Sequence, residues 1–257
     1  MPGVPFYAVL HYTGHHFAGW QRQASHRTVQ GELESVLQRL AGQRVVTHAA
    51  GRTDAGVHSL GQVVSFRLVR EWEPRELLRA LRALTPNDLW VARIGLAPEG
   101  FHARRDAISR RYRYVVGCDP GASSPFRHPF EWALGVPLDH RALDRGAATF
   151  LGEHDFRAYS AVGQRKPHYR CKVSVSEWQA RPNNEGFIFT IEADRFLHRM
   201  VRFVVGTMVD VGRGRRPVED VARLLRSSSN REASPPAPAH GLYLTGARYP
   251  HLNQGCD

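Results

Sequence analysis

The chain has 257 residues, of which 42% are hydrophobic, and this is enough for one large domain or two of ordinary size. Its formal net charge of +11 comes almost wholly from arginine, since Lys166 and Lys172 are the only lysines, and it favours a polyanionic partner over a neutral one. The sequence contains no run of about 18 apolar residues and no signal-peptide pattern, so we expect no membrane span. Its three cysteines are scattered, so we expect no disulfide framework, no metal site and a cytoplasmic location.

The first half of the chain predicts a β-α-β-β-α-β order of elements. A strand is expected at residues 6–11, two more at about 44–50 and 61–69, and a fourth at 89–96. A helix preceded by Thr28 as N-cap is predicted from apolar residues at helical spacing, and a second helix begins near Pro74. The apolar positions of these two helices are Val29, Leu33, Val36, Leu37 and Leu40 in the first, and Leu77, Leu78, Leu81 and Leu84 in the second.

The second half repeats this order of elements without detectable sequence identity to the first. Strands are predicted at residues 108–118, 171–175 and 187–191, and a last strand begins at 242. Helices are predicted at about 141–151, 196–211 and 218–225, and the Ser, Pro and Ala-rich residues 227–240 are predicted as a loop.

The repeated order predicts an α+β fold with two ferredoxin-like or RRM-like βαββαβ domains, at residues 1–104 and 105–257. Such domains in a basic protein suggest nucleic-acid binding, although no RNP pattern of aromatic residues is present. The alternating run Arg111-Tyr112-Arg113-Tyr114 fits a solvated strand face and an RNA-facing strip equally well.

The common catalytic motifs are absent from this sequence. It has no phosphate-binding P-loop, no G-x-S-x-G, no H-E-x-x-H and no C-x-x-C. What remains is Asp54, which lies in a glycine-bracketed loop between two predicted strands and could act as a single carboxylate nucleophile without metal or cofactor. A carboxylate covered by substrate must stay ionised, and a nearby arginine such as Arg52 favours that state. Arg52 could equally reach past Asp54 into the ligand.

Four stretches resemble the TruA-type tRNA pseudouridine synthases. They are GRTDAGVHSLGQVVSF (residues 51–66), FHARRDAISRRYRY (101–114), FLHRMVRFVVGTM (196–208) and APAHGLYLTGARYP (237–250). They occur in the family's order and together span most of the chain. One departure is Ser59, where the family commonly has alanine.

The resemblance implies a catalytic cleft between the sheets of the two domains, a homodimer that binds tRNA, and a cofactor-free reaction on uridines 38, 39 and 40 of the anticodon stem-loop. Carried over by position, Asp54 is the nucleophile, Tyr112 stacks on the target base, and Arg202 holds the Asp54 carboxylate. Leu242 lies beneath the ring, and Arg52 fills the space left by the flipped nucleotide. The candidates for phosphate contacts are Arg104, Arg105, Arg110 and Arg165.

Two other functions remain open at the level of sequence. A catalytically silent RNA-binding protein could share the fold, but phosphate binding alone has no use for an acid beside Arg52. A base-removing glycosidase could use the same aspartate and would release free uracil.

Overall fold

A computed structural model describes residues 3–161, 168–250 and 252. The chain forms two compact units, one made of residues 1–110 with 244–257 and the other of residues 111–243. The first unit is therefore discontinuous in sequence. The division into domains at residues 1–104 and 105–257 stays a prediction.

The helices and strands follow one another along the chain in this order: β1 (Val4–Tyr12), α1 (Val29–Ala41), β2 (His48–Ala49), β3 (His58–Leu68), α2 (Pro74–Leu84), β4 (Leu89–Leu96), β5 (Ser109–Gly117), β6 (Trp132–Ala133), α3 (His140–Ala148), β7 (Gly152–Asp155), β8 (Arg170–Ala180), β9 (Gly186–Ala193), α4 (Met200–Gly212), α5 (Glu219–Leu225) and β10 (Leu242–Arg248). Up to β4 this is the predicted β-α-β-β-α-β order, which is confirmed.

In the first unit, β1 lies between β3 and β4 and pairs antiparallel with both. β2 pairs with β3, and the residues of β10 that belong to this unit also neighbour β3. The two faces of the sheet bury different sets of residues, because successive strand side chains point to opposite sides. Phe6, Ala8 and Leu10 join the leucines of α1 and α2 in one core, whereas Val9 packs with residues from 101–107 and 247–249.

Both helices of the first unit follow from local sequence. The Thr28 hydroxyl accepts a hydrogen bond from the amide of Gly31 at 3.2 Å and caps α1, as predicted. Gly42 ends that helix in a left-handed conformation, and Pro74 occupies the first turn of α2. The fully buried Leu33 and Leu77 each contribute on the order of 2 kcal/mol through burial.

In the second unit, the strand order is β5, β9, β8, β7, and the β7–β8 and β8–β9 pairs are antiparallel. The short β6 pairs with β5 in parallel. Helix α4 is buried along almost its whole length, and α3 packs against it and against β8. The fold is thus mixed α and β with mainly antiparallel pairing, and this part of the fold prediction is confirmed.

Several predicted boundaries differ from the structure. Helix α3 ends at Ala148 rather than at residue 151, and β8 continues to Ala180 rather than ending at residue 175. Of the predicted strand 44–50, His48 and Ala49 form a ladder with β3 and the amide of Ala50 donates to the carbonyl of Val63. The strand does not extend back to Thr47, because the amide of Thr47 donates instead to the buried carboxylate of Glu34 at 3.0 Å. The next strand begins at His58 rather than at residue 61. Helix α4 begins at Met200 rather than at residue 196, since Arg199 has a left-handed backbone with φ of 60°. The short β6 and β7 were not predicted.

No helix within residues 3–161, 168–250 and 252 has both the length and the apolar character needed to cross a bilayer.

Candidate active site

The residues that join β2 to β3, 50–57, form a loop with Arg52 exposed and Asp54 half-buried. The amide of Ala50 donates to the carbonyl of Val63 at 2.8 Å, so the loop leaves the sheet from a fixed point. The carbonyl of Asp54 accepts from the amide of Val57 at 3.2 Å, which closes a tight turn. Gly56 has φ of 80°, a conformation that glycine adopts without strain. The turn therefore presents Asp54 at its start.

The first half of this loop is held by side chains from β1 and β3. The Gln62 amide donates to the carbonyl of Gly51 at 2.6 Å, and its oxygen accepts from the amide of Gly51 at 3.4 Å. The hydroxyls of Tyr12 and Thr53 lie 2.9 Å apart, and the amide of Gln62 reaches the Tyr12 oxygen at 3.5 Å. Gly51 and Thr53, the two neighbours of Arg52, are thus both anchored.

A second loop, residues 13–20, packs directly on the first. The amide of Trp20 donates to the carbonyl of Thr53 at 3.0 Å. Gly19 has φ of 93°, and a Cβ there would lie 2.8 Å from the carbonyl oxygen of Thr53. On the other side of Asp54, the amide of Gly14 donates to Nδ1 of His58 at 3.1 Å. Because Nδ1 of His58 accepts this bond, it carries no proton.

Tyr112, in the second unit, lies on β5 with 7% of its surface exposed. Its ring meets the ring of Phe196 edge to face, with the centroids 4.9 Å apart. The preceding residue, Arg111, forms an ion pair with the buried Glu192, with Nη2 and Oε2 at 2.7 Å. The strand that carries Tyr112 is therefore fixed by packing and by charge.

Arg202 lies in the first turn of α4 and is tied to the loop before β10. Its Nε donates to the carbonyl of Ala237 at 2.6 Å, and its own carbonyl accepts from the amide of Ala237 at 2.9 Å. Leu242 begins β10 with 5% of its surface exposed. Tyr112, Arg202 and Leu242 thus belong to one compact unit, and Arg52 and Asp54 belong to the other.

The predicted phosphate-binding arginines have different surroundings. Arg104 and Arg105 are exposed in a turn that the side chain and carbonyl of His102 stabilise. Arg110 is half-buried, and its guanidinium donates to the carbonyls of Ala50 at 3.0 Å, Ala107 at 3.0 Å and Arg104 at 2.5 Å. Arg165 lies outside the described residues. All four phosphate contacts stay predictions.

Sequence reasoning did not identify the side chains that support the Asp54 loop. Gln62 is fully buried in β3, next to Val63 and Val64. An amide beside these apolar residues was the one feature of the sequence that could have indicated a buried hydrogen-bonding role. The contacts of Tyr12 and Gly19 join residues more than 30 positions apart, and no local pattern marks them.

Within the described part of the chain, no group of three or more His, Cys, Asp or Glu side chains is placed to hold a metal ion.

Comparison with known proteins decides the family. The family model for tRNA pseudouridine synthase matches residues 8–104 and 147–250. The chain belongs to this family. It is therefore a pseudouridine synthase, an isomerase, and the match includes Asp54 in the first segment and Arg202 and Leu242 in the second.

Individual relatives in the family match nearly the whole chain. The tRNA pseudouridine synthase A of Solidesulfovibrio magneticus is 40% identical over 244 residues, which cover 93% of this chain and 89% of the relative. That of Cereibacter sphaeroides is 39% identical over 253 residues, 96% of this chain and 98% of the relative. That of Hydrogenovibrio crunogenus is 36% identical over 242 residues, 94% and 91%.

Proposed function

We propose that this synthase converts uridine to pseudouridine at positions 38, 39 and 40 of the tRNA anticodon stem-loop, with the Asp54 carboxylate as nucleophile and without a cofactor. The anticodon site rests on the resemblance of its motifs to the TruA type, and the relatives above carry the name tRNA pseudouridine synthase A.

The geometry of the Asp54 loop is the observation that supports Asp54 as the nucleophile. A carboxylate that must reach a sugar or base needs to be accessible and to have a fixed position. Asp54 is half-buried, lies at the start of a turn, and follows Thr53, whose hydroxyl and carbonyl are both hydrogen-bonded. A solvated surface turn has no need of such support from two other segments.

The reaction itself needs no external reactant. The bond from the ribose C1′ to N1 of uracil breaks and a bond from C1′ to C5 forms, while C5 loses a proton and N1 becomes an N–H group. Atoms and electrons balance, because product and substrate are isomers. A carboxylate that holds the detached fragment covalently supplies nucleophilic catalysis, and the general acid and base steps move protons only.

The proposal assigns the other predicted residues to the same uridine. Tyr112 stacks on the base, Leu242 supports the ring from below, and Arg202 holds the carboxylate of Asp54. Arg52 takes the space of the extruded nucleotide, which compensates part of the few kcal/mol that unstacking costs. Because these residues belong to both compact units, the proposal requires that both units serve one substrate.

We also propose the finer features of fold and assembly. These are two ferredoxin-like domains, 1–104 and 105–257, with the catalytic cleft between their sheets, and a cytoplasmic homodimer. In the first unit β4, β1 and β3 are adjacent in this order and β2 pairs with β3, which supports the first of these domains. The net charge of +11 supports tRNA binding through phosphates by Arg104, Arg105 and Arg165. Arg110 is predicted with them from the sequence and this stays a prediction, but the three backbone carbonyls that its guanidinium binds favour a structural role.

The decisive experiment is Asp54→Asn, assayed by carbodiimide primer extension on tRNA that carries uridine at only one of positions 38, 39 and 40. Asparagine keeps the size of the side chain but lacks the anionic oxygen, so we expect no pseudouridine at any of the three. Affinity for tRNA should stay within a few-fold, because phosphate contacts dominate binding.

Asp139→Asn is the matched control. Asp139 caps α3 by accepting from the amide of Ala142 at 3.1 Å, and asparagine caps a helix about as well as aspartate does. This variant should keep full activity. Robust turnover by Asp54→Asn would exclude the nucleophile, and release of free uracil by the unaltered protein would indicate a glycosidase instead. Activity confined to other uridines would contradict the anticodon site.

A further inference from the structure

We propose that Gln62 and Tyr12 are positioning residues for the reaction, acting through the backbone of residues 51–53 that carries Arg52 and leads into Asp54. The proposal rests on the assignment of Asp54 as nucleophile. Neither residue is among those that the sequence motifs predict for the site, and both lie in strands next to the loop.

Gln62 holds Gly51 by both of its backbone polar groups. The side chain is fully buried, its nitrogen donates to the carbonyl of Gly51 at 2.6 Å, and its oxygen accepts from the amide of the same residue at 3.4 Å. Glycine has the widest choice of backbone conformations, so an unrestrained Gly51 would let the loop pivot at its base. Gln62 thus fixes the direction in which the chain enters Arg52.

Tyr12 extends this restraint to Thr53. The Tyr12 oxygen accepts from Nε2 of Gln62 at 3.5 Å, so its own hydroxyl hydrogen is available for Oγ1 of Thr53 at 2.9 Å. Burial raises the pKa of Tyr12 to about 12, so the phenol remains a donor across the range in which the enzyme works. The chain from Gln62 through Tyr12 to Thr53 therefore anchors the residues on both sides of Arg52.

The expected consequence is a loss of rate rather than of binding. A displacement of about 1 Å at a reacting group can cost on the order of 100-fold in rate. Affinity for nucleic acid comes mainly from phosphate contacts, and neither Gln62 nor Tyr12 is among the residues proposed to make them. Loosening the loop should therefore lower kcat and leave KM for tRNA nearly unchanged.

The test uses the full-length protein and two variants, Tyr12→Phe, which removes one hydroxyl, and Gln62→Met, which removes the amide but keeps the length of the side chain. Initial rates over a range of tRNA concentrations give kcat and KM, with the enzyme concentration corrected for the folded fraction measured by circular dichroism. We expect kcat to fall roughly 10-fold in Tyr12→Phe and roughly 100-fold in Gln62→Met, with KM changed by less than about three-fold.

Tyr159→Phe is the matched control for the loss of a buried hydroxyl. The Tyr159 ring is fully buried and its hydroxyl donates to the carbonyl of Val221 at 3.2 Å, and both residues belong to the compact unit that does not contain Asp54. Tyr159→Phe should lower the free energy of unfolding, as Tyr12→Phe does, and leave kcat unchanged. A double-mutant cycle with Thr53→Val adds a second readout, because two residues that act through one hydrogen bond should give a double variant little slower than the slower single variant.

The outcomes separate this proposal from the proposed function. If Asp54→Asn is inactive while Tyr12→Phe and Gln62→Met keep full kcat, the network is structural only and the positioning role is refuted. Equal losses in Tyr12→Phe and Tyr159→Phe would refute it as well. If Asp54→Asn remains active, the nucleophile assignment fails whatever the other variants do. Should Gln62→Met not fold, Tyr12→Phe and its cycle with Thr53→Val decide the question alone.

Discussion

Arg110 offers a test between two roles for an arginine in a tRNA-binding protein. The net charge and the motif predict that it contacts phosphate, whereas its guanidinium donates to the carbonyls of Ala50, Ala107 and Arg104. Ala50 is the first residue of the loop that carries Asp54. We expect Arg110→Met, which keeps the apolar stem of the side chain, to act on stability and not on phosphate binding.

The size of the effect follows from the three contacts. A hydrogen bond from a charged group contributes roughly 1.5–3 kcal/mol where it is sheltered from water, and the side chain of Arg110 is only half-buried. Water can replace part of what is lost, so we expect a fall of about 2–4 kcal/mol in the free energy of unfolding. The slope of log K for tRNA against log salt should not change.

Urea denaturation and salt titration of tRNA binding measure the two quantities, with Arg104→Met and Arg105→Met as exposed counterparts. Each true phosphate contact that is removed should make the slope less steep by roughly 0.7–0.9, with little change in stability. A slope that changes by this amount in Arg110→Met, together with unaltered stability, would refute the structural role and return Arg110 to phosphate binding.

Three further predictions concern the surroundings of Asp54. Gly19→Ala should lower both stability and kcat, since its Cβ would meet the carbonyl oxygen of Thr53 at 2.8 Å in a strained backbone; thermal melting and the pseudouridine assay test this. Burial raises the pKa of Tyr12 to about 12, so its contribution to stability is complete below about pH 10 and is lost as the pH rises towards 12. The unfolding free energy of the unaltered protein should therefore fall by up to about 2.7 kcal/mol over this range on account of Tyr12, and that part of the fall should be missing in Tyr12→Phe. Ser59→Ala should cost about 1 kcal/mol in urea denaturation, because Ser59 donates to the carbonyl of Leu244, and should keep its activity, since alanine is common at this position in the family.

The sequence predicted most elements of the fold because the relevant signals are local. Thr28, Gly42 and Pro74 act on the residues next to them, and the apolar spacing of α1 and α2 records which face is buried. The strand predicted at 44–50 was mostly wrong for a non-local reason. The amide of Thr47 donates to the carboxylate of Glu34 and not to a neighbouring strand. No residue near position 47 in the sequence indicates this contact.

The same difference between local signals and non-local contacts holds for the candidate site. Asp54, Arg52, Tyr112, Arg202 and Leu242 were predicted from motifs, which identify the residues expected to touch substrate. The side chains that hold the Asp54 loop were missed, because their role depends on contacts such as that of Gln62 with Gly51, 11 residues away, and of Tyr12 with Thr53, 41 residues away. Those contacts exist only once the sheet has formed.

The discontinuity of the first unit has a consequence for the order of events during synthesis. Residues 244–248 of β10 neighbour β3 in this unit, and the Cα position of Gly61 lies so close to Thr245 that a Cβ would be 2.3 Å from its carbonyl oxygen. During synthesis, Ser59 of β3 leaves the ribosome 185 residues before Leu244, the residue of β10 to which it donates a hydrogen bond. Until then β3 exposes unpaired backbone groups, which can pair with other chains. The nascent enzyme therefore spends most of its synthesis with this edge open, and a chain that stops before β10 should be recovered as aggregate rather than as a smaller enzyme.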